Sequence, residues 1–529
     1  MRIGIALSLL IVAPTLSFGS SSSGNLGAID FPNSGSKEAQ ESFLRGVAAL
    51  HSFWYEEATE AFQHAQKIDP DFALAYWGEA MSYNHPLWSE QDIASARGAL
   101  RRLGETKRER LEKAPTERER LYMEAIEELY GEGDKLARDL AHEKAMDRLS
   151  ERFPEDDEAA AFHALSLLGT VRPGEKGFSR QMKSGAIALE LFQEHPNHPG
   201  AAHYVIHSFD DPEHAPIALP AADRYAEIAP EAHHALHMPS HIFLQHGMWD
   251  RVAKSNQASY DASAKWVSRK NLSIDKRDYH SLQWRAYANL QRGIYTDSIE
   301  AIRIVGDAAK EVQSQRLERI RTSMQATHMI ETGRYENLPL PEGEPDTGRY
   351  SSTANLVLAI GMGAAQAKDA AKTEAAASLI GKLKEKSDDP YTAKTYSIMQ
   401  HELQGLAAMA KGDADAAVAH LAEAVKIEDT LDPPSGPVYP LKPSHELYGE
   451  VLASAGRHQE AVAQFQSSLQ RTPNRTASLL GLARSSSAVG DRETTASAYG
   501  TLQKILGEAN SDVPFLAEVR GFHATTEDR

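Results

Sequence analysis

Small, aromatic and apolar residues recur at helical spacing along most of this 529-residue chain. The clearest run has Gly46, the segment Trp54-Tyr55-Glu56-Glu57-Ala58, then Phe62 and Ala65, and it ends at Asp69-Pro70. Residues three and four positions apart share one face of a helix, so this spacing places an apolar stripe on two consecutive helices. A small residue lets two helices approach closely, and proline cannot continue a helix interior. The pattern therefore predicts a helix, a tight turn and a second helix that stops before the proline.

The same pattern returns at several later positions in the chain. Its copies are Gly247-Met248-Trp249-Asp250, Gly293-Ile294-Tyr295, Gly333-Arg334-Tyr335, Gly412-Asp413-Ala414, Gly449 with Gly456, Ala461, Phe465 and Pro473, and Gly490-Asp491. Between Glu90 and Phe153 the sequence is helical and charged without a readable repeat register, although Pro115-Thr116-Glu117 resembles a helix start. No segment alternates as a strand would, so we predict an all-α fold without a substantial sheet.

These spacings resemble those of the tetratricopeptide repeat, whose unit is about 34 residues long. The resemblance implies an α-solenoid of stacked antiparallel helix pairs, with a concave groove lined by the first helix of each unit. Tetratricopeptide proteins in general bind a peptide or a protein in that groove. The segments F-W-Y-E-E-A, N-H-P-L-W, H-x-x-H-M-P-S-H-I-F and K-P-S-H-E-L-Y-G-E are similar to those of bacterial exported tetratricopeptide proteins of unassigned activity. The resemblance covers most of the mature chain and implies no reaction.

Composition shifts divide the chain into segments. Residues 1–19 have a positive start, a short apolar run and small residues at cleavage spacing, which predicts a signal peptide and an exported protein, periplasmic or secreted. Residues 20–36 are predicted to be a flexible linker, 37–337 an N-terminal array with a histidine-rich centre, and 349–520 a C-terminal array. A Pro/Gly-rich seam at 338–348 separates the arrays. A second proline cluster at 432–443 is expected to form a loop that crosses the groove.

Charge and cysteine content exclude several classes of protein. The formal net charge is -18, from 74 acidic and 56 basic residues, so a nucleic-acid partner is not expected. The chain has no cysteine, which excludes disulfides, thiolate nucleophiles and cysteine zinc sites. Beyond the signal peptide no stretch is apolar enough to predict a membrane span.

Ten of the 22 histidines lie between His195 and His246. His203 and His207 are four residues apart, as are His237 and His241, and imidazoles so spaced stand one above the other on a helix. Such pairs on adjacent groove helices could bind one transition-metal ion, and imidazole with carboxylate but no thiolate favours Zn, Cu(II), Ni or Fe. Two other interpretations stay open, which are groove histidines for an organic or peptide ligand and purely structural histidines.

Pro239 leaves the histidine helix open to two interpretations. It either kinks a helix that runs through it or begins a helix in its first turn. In the second case His233 and His234 would belong to a loop.

Further groove residues follow from the repeat register. We assign His85, Trp88, His234 and His280 to the ligand groove, together with Glu446 and Glu450 four residues apart on one helix. Two close carboxylates can raise one another's pKa or attract a basic ligand, and a solvated acidic face is the alternative. Arg475 and Arg484 could pair with these acids across a turn.

The sequence supports two functional hypotheses. The first is an exported binding or scaffold protein that holds a peptide, protein or small ligand in its concave groove. The second is a metal-binding protein, with or without catalysis, that uses the histidine cluster. No nucleotide-binding glycine loop, nucleophile elbow or H-E-x-x-H segment is present, so the chain has no recognised catalytic motif.

Overall fold

The computed structural model describes residues 21–22, 25–172, 177–342 and 346–523, and this part of the chain is almost entirely helical. The helices of the first half are α1 (Gln40–His51), α2 (Tyr55–Ile68), α3 (Ala73–Met81), α4 (Ile93–Leu103), α5 (Lys107–Glu112), α6 (Glu117–Leu129), α7 (Lys135–Arg152), α8 (Asp157–Gly169), α9 (Ser179–Glu194), α10 (Pro199–Ser208), α11 (Ala215–Ile228), α12 (His233–His237) and α13 (Pro239–Gln245). The remaining helices are α14 (Trp249–Arg269), α15 (Tyr279–Gln291), α16 (Tyr295–Val312), α17 (Gln315–Thr332), α18 (Ser352–Gln366), α19 (Ala370–Glu385), α20 (Pro390–Ala410), α21 (Ala414–Glu428), α22 (Ser444–Ser454), α23 (His458–Arg471), α24 (Thr476–Ala488), α25 (Arg492–Ile505) and α26 (Leu516–Gly521).

Extended structure in the described residues is limited to two short antiparallel pairs. These are β1 (Ser21–Ser22) with β2 (Ala28–Ile29), and β3 (Asn84–His85) with β4 (Glu90–Gln91). The prediction of an all-α fold without a substantial sheet is confirmed.

Consecutive helices pack against each other as an α-solenoid, and two units show the same packing in detail. Phe62 on α2 is fully buried, and a Cβ built on Gly46 or Gly78 would lie 2.8 or 2.3 Å from its ring. Phe465 on α23 has the same relation to Gly449 and Gly481, at 2.9 and 2.2 Å. One aromatic ring therefore fills the space between two glycine-bearing helices in both units, because only glycine leaves room for it.

The segment that precedes α1 is packed rather than flexible. Leu26 and Ile29 are fully buried, Phe31 is 2% exposed, and the Ala28 backbone N–H donates to Asn197 O at 3.0 Å. The prediction of a flexible linker is wrong for residues 25–36, because its three apolar side chains supply core contacts that Ser and Gly cannot. The predicted signal peptide, residues 1–19, lies outside the described residues.

Both ends of the solenoid pack against its middle. Near the start, the Trp266 indole N–H donates to Glu57 Oε1 at 2.9 Å. Near the end, the Trp249 indole N–H donates to Asn474 O at 2.9 Å, and the Asn474 side-chain amide donates to His246 O at 3.1 Å. Units about two hundred residues apart in sequence are therefore direct neighbours.

A buried ion network joins the two predicted arrays. The Arg475 guanidinium is 1% exposed and lies 2.7 Å from Glu331 Oε1 and 2.8 Å from Glu446 Oε2. It also donates to the Tyr287 hydroxyl at 3.1 Å. Burial opposes ionisation of Glu446, but Arg475 and Lys442 hold the pKa of this carboxyl at about 2.

The described helices include none with the length and hydrophobicity that a bilayer crossing needs.

Candidate functional site

Five histidines from three helices form one surface, which we call the imidazole wall. They are His203 and His207 on α10, His234 and His237 on α12, and His241 on α13. Pro239 is the first residue of α13, and Met238 before it keeps helical dihedral angles, so two short helices follow each other without a loop. His233 and His234 are consequently helical, and His234 lies within 5.1 Å of His203 between ring centroids.

The imidazole nitrogens of the wall approach each other closely in two pairs. His203 Nε2 and His207 Nε2 are 3.0 Å apart, and His237 Nε2 and His241 Nε2 are 3.1 Å apart. A ligand atom of His234 lies within 4.8 Å of those of His203 and His207. The spacing of four residues thus brings each predicted pair together, and His234 joins the first pair.

Hydrogen bonds on the far side of three rings fix where their protons lie. His241 Nδ1 is 2.6 Å from Asp210 Oδ2, and a carboxylate only accepts. His237 Nδ1 is 2.6 Å from Asn256 Oδ1, whose amide nitrogen donates to Val252 O. His203 Nδ1 is 2.7 Å from the carbonyl oxygen of His51. Each Nδ1 is therefore the donor, and in the neutral ring Nε2 carries the lone pair.

Burial favours the neutral form of four rings of the wall. Burial lowers the pKa of His203 to about 3. Burial, with neighbouring imidazoles as the next cause, also lowers the pKa of His207, His234 and His237 well below the ordinary value. These four rings therefore present unprotonated nitrogens at neutral pH, which is the form that accepts a hydrogen bond or a metal ion.

Aromatic side chains continue the wall toward the N-terminal unit. The His85 ring stacks on Tyr55 at 4.0 Å between centroids, and Trp88, which is 51% exposed, lies 6.1 Å from His234. Phe53 contacts both ends of this surface, at 5.7 Å from Trp88 and 5.6 Å from His234. The predicted groove residues His85, Trp88 and His234 therefore share one face.

Phe53 is a site residue that sequence reasoning missed. It occupies the turn between α1 and α2 with φ 51°. At the corresponding turns before α14, α16, α21, α23 and α25, the left-handed residue is glycine with φ between 61° and 83°. A left-handed backbone costs a non-glycine residue about 1 kcal/mol. Phenylalanine replaces glycine at this turn, as Lys368 (φ 60°) does before α19. The contacts of the Phe53 ring with the wall offset the cost of its left-handed backbone.

The opposite end of the wall is covered by the proline-rich segment 432–443, which we call the strap. His280 lies 4.8 Å from His237, and Trp284 lies 4.5 Å from His241, between ring centroids. The strap passes over Trp284 so closely that a Cβ on Gly436 would be 2.8 Å from the indole ring. The Gln245 amide donates to Pro434 O at 3.0 Å. The expected crossing of the groove by this loop is thus visible in its contacts with α13 and α15.

A second histidine cluster, behind the wall, differs from it chemically. His51 Nε2 and His198 Nε2 lie 2.6 and 3.2 Å from the two oxygens of Glu158. The Tyr204 hydroxyl donates to His51 Nδ1, and the Ala201 N–H donates to His198 Nδ1. Both nitrogens of each ring therefore have a partner and no lone pair remains. We assign this cluster to the support of the wall, because the His51 carbonyl accepts from His203.

The predicted acidic pair does not form a groove site. Glu446 is fully buried and is held by Arg475 and Lys442, so no ligand reaches it. Glu450 is partly exposed and lies 2.6 Å from the same lysine ammonium. Arg475 pairs with Glu446 as expected, whereas Arg484 pairs with Glu518 instead. The spacing of four residues was correct, but it could not show that a lysine four residues before Glu446 neutralises the pair.

A buried carboxyl pair under the strap predicts a pH dependence of stability. Burial, and then the neighbouring Glu428, raise the pKa of Glu402 well above its ordinary value. Folding therefore keeps Glu402 protonated, and the stability it contributes below pH 4.5 is lost as pH rises through its folded pKa. We expect Glu402→Gln to remove this loss, which is up to about 1.4 kcal/mol per pH unit. Urea unfolding of both proteins between pH 5 and 8 measures it, and parallel curves would contradict the assignment.

Comparison with known proteins finds distant structural similarity alone. No protein-family model matches the chain, and no curated protein matches it significantly. Among solved structures, yeast Tom70 is 11% identical over 88% of this chain and 93% of that chain, with a TM-score of 0.33. A monomeric mutant of IFIT1 with Gppp-AAAA is 13% identical over 82% and 90%, with a TM-score of 0.37. The TPR domain of P58(IPK) is 12% identical over 86% and 99%, with a TM-score of 0.21.

The repeated turns and the glycine–phenylalanine packing decide the fold. At the turn before α14 the Met248 N–H donates to Phe243 O, five residues back, and the same bond recurs before α16, α21, α23 and α25. This chain is a tetratricopeptide-type α-solenoid. Such solenoids expose a long inner surface built from successive first helices. The wall lies on α10, α12 and α13, which precede and pack against the second helices α11 and α14.

Proposed function

We propose that the protein is an exported binding module that holds an irregular, proline- or aromatic-containing peptide segment of a partner protein against the imidazole wall. The observation that carries the proposal is the strap. The chain already places a proline-rich segment of its own over one end of this surface and leaves the other end, at Trp88, uncovered.

The contacts of the strap indicate how such a segment is held. A carbonyl of the segment accepts from the Gln245 side chain, and a glycine lets its backbone lie flat on the Trp284 indole. Val438 anchors the strap in the same apolar core as Trp284. These contacts use backbone groups and aromatic faces, so they suit many peptide sequences.

The uncovered end offers the same chemistry to a partner. The Trp88 indole is half-exposed beside the stacked pair of His85 and Tyr55, with Phe53 beneath it. Exposed tryptophan next to other rings is typical of a surface that buries a partner's side chain. The N-terminal sequence supports export, because residues 3–16 are apolar and small residues follow.

Titration with labelled peptides tests the proposal. Fluorescence anisotropy of a set of synthetic proline- and aromatic-containing peptides is measured with the mature protein, with Trp88→Ala and with Ile299→Ala. Loss of a tryptophan anchor costs about 2 kcal/mol or more, so Trp88→Ala should weaken binding by about 30-fold. Ile299 is 53% exposed and has no contact with the wall residues described above, so its variant should bind as the unchanged protein does.

Two results would contradict the proposed peptide binding. The absence of binding by every peptide at micromolar concentration, or equal affinities for the two variants, would remove the peptide-binding assignment. Export is tested separately by N-terminal sequencing of the protein from the producing cells. A mature N-terminus near Ser20 supports it, and a retained Met1 contradicts it.

A further inference from the structure

One close pair of ring nitrogens in the wall has no hydrogen between its atoms when both rings are neutral. His237 Nε2 and His241 Nε2 are 3.1 Å apart. In the neutral form of each ring the single proton is on Nδ1, donated to Asn256 by His237 and to Asp210 by His241. Two lone pairs at this distance repel each other unless a cation lies beside both of them.

In the neighbouring set one nitrogen, His234 Nε2, lacks a partner, whereas a proton on His207 Nε2 can join His207 to His203. His203 donates through Nδ1 to the His51 carbonyl, so its Nε2, 3.0 Å from His207 Nε2, is also an acceptor. His234 Nε2 is buried without any hydrogen-bond partner in the protein. Ligand atoms of these three rings all lie within 4.8 Å of one another.

The distances match those of imidazoles on one metal ion. Nitrogens bound at about 2.0–2.1 Å to a tetrahedral ion lie about 3.3 Å apart. A histidine that binds a metal through Nε2 donates its other N–H to a carboxylate or carbonyl, as His241 does to Asp210 and His203 does to His51. In the His51–Glu158–His198 cluster the distances between ligand atoms are equally short, but no ring nitrogen has a free lone pair. The presence of free lone pairs therefore distinguishes the wall from this cluster.

We propose that the imidazole wall binds a transition-metal ion at its close ring nitrogens, in the His203–His207–His234 set, in the His237–His241 pair or in both. Neutral imidazoles without thiolate suit Zn(II), Cu(II), Ni(II) or Fe(II). Asp210 orients His241 and is a positioning residue. The ion would lie on the inner surface between the strap and the uncovered aromatic end, where a bound segment could supply a further ligand.

Metal titration of single variants tests this site. Zn(II) and Co(II) are added to the untagged mature protein, and the bound metal is measured by equilibrium dialysis and elemental analysis. The variants are His207→Gln and His241→Gln, which replace half-buried rings and preserve most of the volume. The control is His420→Gln, which removes one ring of a close pair, His401 and His420, on α20 and α21.

The unchanged protein and His420→Gln should bind close to one or two equivalents. His207→Gln, His241→Gln or both should lose affinity by on the order of 100-fold or more, and Asp210→Asn by about 10- to 100-fold. The visible absorption of bound Co(II) should change in the same variants, which a merely structural role would not produce.

Three results would overturn the site. They are the absence of Zn(II) binding at micromolar concentration by the unchanged protein, equal affinity in both wall variants and the unchanged protein, or a comparable loss in His420→Gln. Circular dichroism of each variant confirms that a lost signal does not come from unfolding.

Discussion

Arg475→Ala should lower the free energy of unfolding by about 3–5 kcal/mol. Arg475 is the cation between two buried carboxylates, Glu331 and Glu446, which are 4% and 0% exposed. Removing it leaves Glu446 with the Lys442 ammonium and the Ser478 hydroxyl, and Glu331 without its guanidinium partner. The loss arises from the desolvation of the remaining charges, because neither can reach water without opening the contact between α17, α22 and α24.

Urea unfolding followed by circular dichroism measures this effect, with Arg484→Ala as the matched control. Arg484 and Glu518 form an ion pair of similar length, but their side chains are 54% and 34% exposed. Exposed pairs contribute about 0–1 kcal/mol, so the control should remain close to the unchanged protein. Equal effects of the two substitutions would show that burial of the network does not determine its contribution.

Glu158→Ala should destabilise the protein by about 2–5 kcal/mol, since each buried group left without a partner costs about 1–3 kcal/mol. Its two oxygens satisfy the ring N–H groups of His51 and His198, which are 0% and 3% exposed. Burial alone would raise the pKa of Glu158, but its interactions with His51 and His198 hold it at about 2.

Thermal unfolding measures the stability of Glu158→Ala, with Glu117→Ala as the control. Glu117 is an exposed acid in an ion pair with Arg152. The supporting role assigned to Glu158 also predicts that the folded fraction of Glu158→Ala keeps its Zn(II) affinity within a few-fold. A stable variant that has lost its metal would instead place the ion at the His51–Glu158–His198 cluster.

Much of the fold was predictable because it depends on local periodicity. Small residues, aromatics and prolines at fixed offsets identified the helix pairs, and six of the nine described glycines at positive φ lie in the predicted turns. The packed segment at 25–36 was not predictable, because Leu26, Ile29 and Phe31 contact residues far away in sequence. The contacts of the two ends with the middle of the array were not predictable either, because they too join residues far apart in sequence.

The candidate site was predictable in part for the same reason. A spacing of four residues was sufficient to pair His203 with His207 and His237 with His241. The spacing could not show that His241 and His237 donate through Nδ1 to Asp210 and Asn256, since these hydrogen bonds depend on contacts between helices. The repeat register also placed Glu446 on α22 in the groove, although this carboxylate is buried in an ion pair with Arg475, the residue before α24.

The central claim is that the imidazole wall supplies lone pairs to a ligand on the inner surface of the solenoid. The most direct measurement is anomalous diffraction at the zinc absorption edge from crystals of the Zn(II)-loaded protein. We expect a peak about 2.0–2.1 Å from Nε2 of His237 and His241, or of His203 and His207. A peak confined to the His51–Glu158–His198 cluster or to surface carboxylates, or no peak, would contradict it.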